Sequence, residues 1–338
     1  MKAKKVLIIG CGAILNRHLE SIESNENYRL VALCDIQEDL VLAKSRELNV
    51  LGFTDYKKAI AESGANFVTI ATPNSQHFSQ SIYCLKNGCD ILVEKPVSFS
   101  SEEVSIISKT AIDNNRKAYC VLQVRLNPTI AIVNECMSKG LLGTIRSVHL
   151  TQRWQRPLEY FSGWRNEPDI GGGTLYEVGI HYLDILQKLF GVPEIHSTKV
   201  FSTKHKSAKI EDTIYSIMDY GEFGGTCEVT VAAEPQNLEC SLEILGSNGY
   251  LKIGGKAMNI VESYNFLSVG SKKKFEDILE NSQLSIEPNS YGSYQGSCPN
   301  HPFVYENLHL FNIEEAHGAI KTIENIYDKA GIKYGTNL

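Results

Sequence analysis

Val6-Leu7-Ile8-Ile9-Gly10-Cys11-Gly12-Ala13-Ile14-Leu15 is the stretch whose reading decides the fold. A short, continuous apolar run that stops at glycine reads as a strand buried on both faces. The amphipathic segment near residues 14–24 then reads as a helix. Between them, glycine is needed at the first turn position because the chain bends sharply. It is needed at the second because a side chain there would strike a pyrophosphate. The helix start offers unpaired N–H groups to the phosphates. Leu15 stands where a third glycine usually eases helix–sheet packing. Asp35 closes the next apolar run, where a carboxylate accepts hydrogen bonds from ribose hydroxyls and repels a 2′-phosphate. The motif therefore predicts a dinucleotide, and NAD rather than NADP.

Outward from this turn, short apolar runs alternate with amphipathic ones. Val6–Ile9, Leu30–Cys34, Phe67–Ala71, Ile91–Val93 and Ala118–Leu122 are expected strands, with helices near 14–24, 37–48, 76–87 and 100–114. That alternation predicts an α/β fold whose first domain, residues 1–122, is a Rossmann-type doubly wound parallel sheet. Its strand C-termini form the ligand edge. The pattern changes in residues 123–338, expected to form a second α/β domain for substrate binding and oligomerisation. Helices are expected over Thr129–Lys139, Thr174–Phe190 and Ile313–Ala330. An open, mainly antiparallel sheet is expected from Ile145–Gln152, Thr213–Met218, Thr226–Ala232, Ser241–Leu245 and Tyr250–Ile253. Gly246-Ser247-Asn248-Gly249 reads as a hairpin turn, and Lys272–Lys274 as a solvated loop.

The chain has 338 residues, 33 basic and 39 acidic, for a net charge of -6; it is 43% hydrophobic and 21% charged. This is globular composition. The mild, dispersed acidity argues against a nucleic-acid or anionic-membrane surface. Nine cysteines with no Cys-x-x-Cys fit buried thiols in a reducing cytoplasm, not disulfides or a zinc site. The apolar run Val6–Ile9 after the basic N-terminus is too short for a signal-peptide core, and no later stretch is long enough to span a membrane. No metal site is expected.

Two further segments sit at strand C-termini: Ala71-Thr72-Pro73-Asn74-Ser75-Gln76-His77 and Glu94-Lys95-Pro96. Pro96 fixes the backbone beside Lys95. Near a cationic nicotinamide and partly desolvated, such a lysine can act in acid/base work. A surface lysine paired with Glu94 is the alternative. In the second domain Glu177, His181 and Asp184 fall on one helix face. A carboxylate one turn from an imidazole can set its tautomer and basicity, whereas a capped helix with a core histidine would need no chemistry. Arg125, Arg153, Arg156 and Arg165 cluster in a chain that is acidic overall. Their forks suit diphosphate or carboxylate groups, or brace the loop or an oligomer interface.

Together, Gly10-x-Gly12, Asp35, Ala71-Thr72-Pro73-Asn74 with His77, Glu94-Lys95-Pro96 and Gly179-x-His181-x-x-Asp184 resemble the Gfo/Idh/MocA family. These are NAD(P)-dependent oxidoreductases of sugars and polyols that assemble as dimers or tetramers, usually through the C-terminal sheet. The resemblance covers nearly the whole chain. It implies Lys95 and His181 as the catalytic acid/base pair, joined by Glu177, where many members carry Asp. It implies a cofactor site of Gly10, Gly12, Ala13, Ile14, Asp35, Thr72, Pro73, Asn74, His77, Glu94, Lys95, Gln123, Trp164 and Arg165. For the substrate it implies Lys95, Arg125, Asn127, Arg153, Arg165, His181 and Asp184. Val121–Pro128, Gly179–Asp184 and Cys298-Pro299-Asn300-His301-Pro302-Phe303 are similar to nucleotide-sugar 3-dehydrogenases acting on UDP-N-acetylglucosamine or its uronic acid. The expected activity is thus NAD-dependent oxidation of a sugar hydroxyl, at C3 of a UDP-amino sugar. The ketone would feed an aminotransferase in surface polysaccharide or lipid A assembly. A dehydrogenase of free sugars or inositols is the alternative; a non-catalytic NAD-sensing protein is the alternative of another class.

Overall fold

Six parallel strands form the first sheet, as the apolar runs require: β1 (Lys4–Ile9), β2 (Tyr28–Cys34), β3 (Leu51–Phe53), β4 (Phe67–Ile70), β5 (Asp90–Val93) and β6 (Ala118–Cys120), in the order β3-β2-β1-β4-β5-β6. In this computed structural model the described residues are 3–282, 290, 291, 294, 295 and 300–335. Helices α1 (Leu15–Glu23), α2 (Glu38–Glu47), α3 (Tyr56–Glu62), α4 (His77–Lys86) and α5 (Ser101–Asp113) connect the strands. Their starts follow from local chemistry. Asp55 accepts the Lys57 and Lys58 amides at the head of α3, and Ser100 accepts the Glu102 amide at α5. Strand order reverses direction between β1 and β4, the crevice where doubly wound sheets bind ligands.

The chain divides into two compact units, Met1–Leu122 with His301–Ile320, and Gln123–Asn300 with Lys321–Leu338. Residues 301–320, expected with the second domain, thus fold with the first. The helix over His301–Glu306 lies against α1, and the Cys120 amide donates to the Phe311 carbonyl at 2.9 Å. Tyr305 is buried there, its hydroxyl 2.8 Å from Thr69 and 3.1 Å from His18 Nδ1.

The second unit is built on α6 (Pro128–Ser138), β7 (Ile145–Arg153), a short α7 (Pro168–Gly171), a π-helical turn (Leu175–Gly179) running into α8 (Ile180–Phe190), then β8 (Glu194–Phe201), β9 (Thr213–Asp219), β10 (Gly224–Thr230), β11 (Glu239–Gly246), β12 (Gly249–Gly254), β13 (Ile260–Phe266) and α9 (Val269–Asn281). The seven-stranded sheet runs β13-β12-β11-β7-β10-β9-β8, and every pair is antiparallel except β7 with β10. Ser247 and Asn248 form the two-residue hairpin tip between β11 and β12. One sheet face presents Val148, Leu150, Gln152 and Val229 to the core, where the Gln152 amide reaches the Val178 carbonyl. The other face carries polar and aromatic side chains. The chain closes with α10 (His301–Glu306), a tight turn at Ile313–Ala316 and α11 (His317–Ala330).

Lys272–Lys274 lie within α9 and not in a loop. Ser268 accepts the Ser271 amide at its start, and Phe275 and Ile278 bury one side, so the lysines are the solvent face of a helix. The eight cysteines at 11, 34, 84, 89, 120, 136, 227 and 240 are buried and unbridged, and Cys298 lies outside the described residues. Among the described residues no helix is long and apolar enough to cross a membrane.

Candidate active site

The first unit gathers its predicted residues at the C-terminal ends of β1, β2, β4 and β5. Gly10 has φ +102°, and a Cβ on it would sit 2.3 Å from the Ala71 carbonyl oxygen, so the turn lies flat against the end of β4. A Cβ on Gly12 would meet nothing within 4 Å. The helix that follows, α1, starts from an N-cap residue, Ile14, that supplies no side-chain cap. Ala13 and Ile14 are exposed and half-buried at the same helix entrance. The Asp35 carboxylate accepts the Cys11 amide at 2.7 Å and the Gln37 amide at 2.9 Å, tying the end of β2 to the glycine turn. Leu15, in the place of the third glycine, is a buried core residue. A glycine turn, a helix start without a side-chain cap and a carboxylate at the β2 end fit a dinucleotide.

Two loops border this cradle. Pro73 leads into a single turn at Asn74–Gln76, and Thr72 Oγ1 donates to Gln80 Oε1 at 2.8 Å. His77 is wholly buried, with Nδ1 2.6 Å from the Pro96 carbonyl and Nε2 2.9 Å from the Thr72 carbonyl. It clamps one loop to the other. Burial holds its pKa below the ordinary value, against the opposing pull of those two carbonyls. Lys95 is half-buried and joined to Pro96 by a cis bond. Glu94 turns inward: Oε1 lies 3.1 Å from His18 Nε2 and 3.6 Å from His301 Nε2, and Oε2 accepts the Lys95 amide. Burial alone would raise its pKa, but the bonds and charges of the two imidazoles outweigh it and hold the carboxyl well below its usual range.

In the second unit Glu177, His181 and Asp184 are all buried, at the junction of the π-helical turn and α8. Asp184 takes a bidentate pair from Arg125, both bonds 2.7 Å, with both side chains almost completely buried. Glu177 Oε2 lies 3.2 Å from Arg165 Nε and 3.5 Å from the Tyr160 hydroxyl. The Arg165 guanidinium lies over Trp164 at 4.5 Å and Tyr160 at 5.3 Å. Both carboxylates on this helix face thus pair with an arginine.

Three more of the predicted residues have the following neighbours. Asn127 is buried, donates to the Ala257 and Met258 carbonyls and accepts from Asn300, so its amide braces the unit's interior. Gln123 is buried, and its carbonyl accepts from Asn300. Arg153 points to the sheet face opposite α8, where its fork engages Glu228 at 2.6 and 2.8 Å and Glu239 at 3.2 Å. It is not brought to the other substrate candidates, because alternation along β7 puts it on the face away from Gln152. Arg156 stacks on Trp154 and Tyr160. Sequence reading missed His18 and Tyr160, which belong to none of the motifs read from the chain. Of the Cys298–Phe303 motif, Cys298 and Pro299 lie outside the described residues.

Comparison with known proteins agrees with this geometry. The profile of the oxidoreductase family with an NAD-binding Rossmann fold, GFO_IDH_MocA, matches residues 4–122, and the GFO/IDH/MocA C-terminal domain profile matches residues 130–252. The chain belongs to the Gfo/Idh/MocA family of oxidoreductases and binds NAD. The WlbA dehydrogenase of Bordetella pertussis, in complex with NADH and UDP-GlcNAcA, is 25% identical with a TM-score of 0.87, covering 100% of this chain and 99% of its own. The glucose-6-phosphate 3-dehydrogenase of Bacillus subtilis is 25% identical over 72% of each chain. An oxidoreductase of Formosa agariphila is 24% identical over 77% of this chain and 82% of its own. As in its family, this protein is an NAD-dependent oxidoreductase acting on the CH–OH group of a sugar or polyol.

Proposed function

We propose that the substrate is a nucleotide sugar, and that the reaction is oxidation of the C3 hydroxyl of a UDP-N-acetyl amino sugar or its uronic acid. The observation that carries this reading is the end-to-end structural likeness to a dehydrogenase bound to NADH and UDP-GlcNAcA. NAD, when bound, supplies the hydride acceptor. Lys95 and His181 share removal of the hydroxyl proton as the carbonyl forms. Glu94 supports Lys95 by accepting its amide. Arg165, held by Glu177 and stacked on Trp164, presents a charged edge suited to a carboxylate or diphosphate. The ketone would serve an aminotransferase in surface polysaccharide or lipid A assembly.

The test is incubation of purified protein and NAD with UDP-N-acetylglucosamine, its uronic acid, glucose 6-phosphate and inositols. NADH formation with a UDP-sugar, and a product lighter by two hydrogens, is the expected result. Turnover of only the non-nucleotide sugars would support the second reading, toward which the Bacillus relative points. NAD binding without turnover of any sugar would favour a sensor.

The open face of the seven-stranded sheet supports a homo-oligomer. Tyr215 and Ile217 are about half exposed there, beside the ring of Phe201. Light scattering of the purified protein should report a dimer or tetramer, and a monomer would reject this interface.

A further inference from the structure

The helical segment that carries Glu177 and His181 starts without a cap of its own. Thr174, at its N-cap position, makes no side-chain bond to the first amides. Those amides are buried, and a buried N–H left without a partner is costly. The cap comes from distant residues. Glu211 Oε1 accepts the Thr174 amide at 2.8 Å, and the Glu211 carbonyl accepts the Thr174 hydroxyl. The Tyr327 hydroxyl, on α11, accepts the Leu175 amide at 2.9 Å and donates to the same Oε1 at 2.7 Å. Tyr334, beyond α11, donates to Glu211 Oε2. One buried carboxylate therefore satisfies the first amide directly and the second through a tyrosine relay.

This arrangement is rigid on every side. The Tyr327 ring stacks on Tyr176 at 5.7 Å and meets Tyr334 edge-on at 4.7 Å. Gly173 has φ +82°, and a Cβ there would strike both tyrosines, so the turn before the helix fits closely against them. The neighbour of Glu211, Asp212, accepts the Thr203, Lys204 and His205 amides, which fixes the backbone that delivers Glu211. A negative group at a helix start also favours the helix dipole. Burial raises the pKa of the Glu211 carboxyl above its ordinary value, against the opposing pull of the hydroxyl and amide donors.

We propose that Glu211 and Tyr327 are positioning residues that set the start, and so the rotation, of the helical segment presenting His181 to the substrate. The C-terminal segment is on this reading part of the catalytic apparatus through its two tyrosines. The proposal rests on His181 acting as described above, and it makes a claim that turnover alone does not decide.

Tyr327→Phe removes one oxygen and keeps the ring; Glu211→Gln keeps the acceptor and removes the charge. Hydrogen exchange followed by mass spectrometry reads peptides over 172–190 against peptides of the first unit. Exchange in residues 174–181 should rise by about ten- to a hundredfold in Tyr327→Phe, less in Glu211→Gln, with the first unit unchanged. With a substrate in hand, kcat should fall roughly tenfold or more while the KM for NAD stays constant. Unchanged exchange at 174–181, or a rise spread over the whole chain, would overturn the proposal. So would a local rise that leaves kcat untouched. If the wild type oxidises no sugar tested, the functional reading fails on its own, and the exchange data still decide whether the cap exists.

Discussion

Gly10 and Gly12 are separated by one residue, yet the structure asks different things of them. Gly10 needs its positive φ and its bare Cα, because the Ala71 carbonyl occupies the space a Cβ would take. Gly12 meets no protein atom there, so its bareness serves what the protein binds. Gly10→Ala should therefore destabilise the protein without any ligand, by roughly 1–3 kcal/mol for the backbone strain and more for the clash. Gly12→Ala should keep the wild-type melting temperature and lose NAD affinity by about tenfold or more, about 1.4 kcal/mol. Thermal melts with and without NAD distinguish the two. An equal loss of stability from both substitutions would contradict this division. The glycine spacing was readable from the chain, as was Asp35. What each side chain touches was not: Arg125 and Arg153 looked alike in sequence, but one is buried on Asp184 and the other lies on the open sheet face between Glu228 and Glu239.

At the level of elements, the His77 imidazole bridges the loops after β4 and β5. Because burial depresses the pKa of His77 in the fold, the unfolded chain takes up a proton at higher pH than the native one. The stability this gives is complete above the ordinary value of 6.5 and drains away as pH falls below it toward the lower native value. Glu94, depressed relative to 4.5, adds a second loss at more acid pH, beginning below that value. The first slope can reach about 1.4 kcal/mol per pH unit for one proton. Unfolding free energy measured in urea across pH should fall between pH 6.5 and 5, and the part due to His77 should vanish in His77→Gln. A wild-type curve parallel to that of the variant would rule this linkage out. Elements that sequence reading missed share a cause. Strand β3 has three residues and no buried one, and strand β8 alternates mostly between exposed positions, so neither shows an apolar run. The π-helical turn has the composition of an α-helix and is set by contacts with Glu211 and Tyr327, far away in the chain.

For the whole molecule, the consequential feature is the return of residues 301–320 to the first unit. Local periodicity assigns such a segment to its sequence neighbours, since nothing in it names its distant partner. The packing does name one. Phe311 is fully buried, and its carbonyl takes the Cys120 amide in the last residue of β6. Tyr305 is buried beside Thr69 and His18, its ring edge-on to Tyr28 at 5.1 Å. His301 helps keep Glu94 ionised. Removing this segment would leave the hydroxyl of Thr69 and the carboxylate of Glu94 short of partners, and apolar surface of β6 and α5 uncovered. A fragment of residues 1–122 should accordingly lack a cooperative thermal transition, despite containing every strand of the six-stranded sheet. A second fragment that joins 301–320 to 1–122 through a flexible linker should regain one, together with NAD binding. Circular dichroism melts of the two fragments beside the full chain make the comparison. Should the shorter fragment melt as sharply and as high as the longer one, the returning segment would be an ornament on the dinucleotide unit and not part of its core.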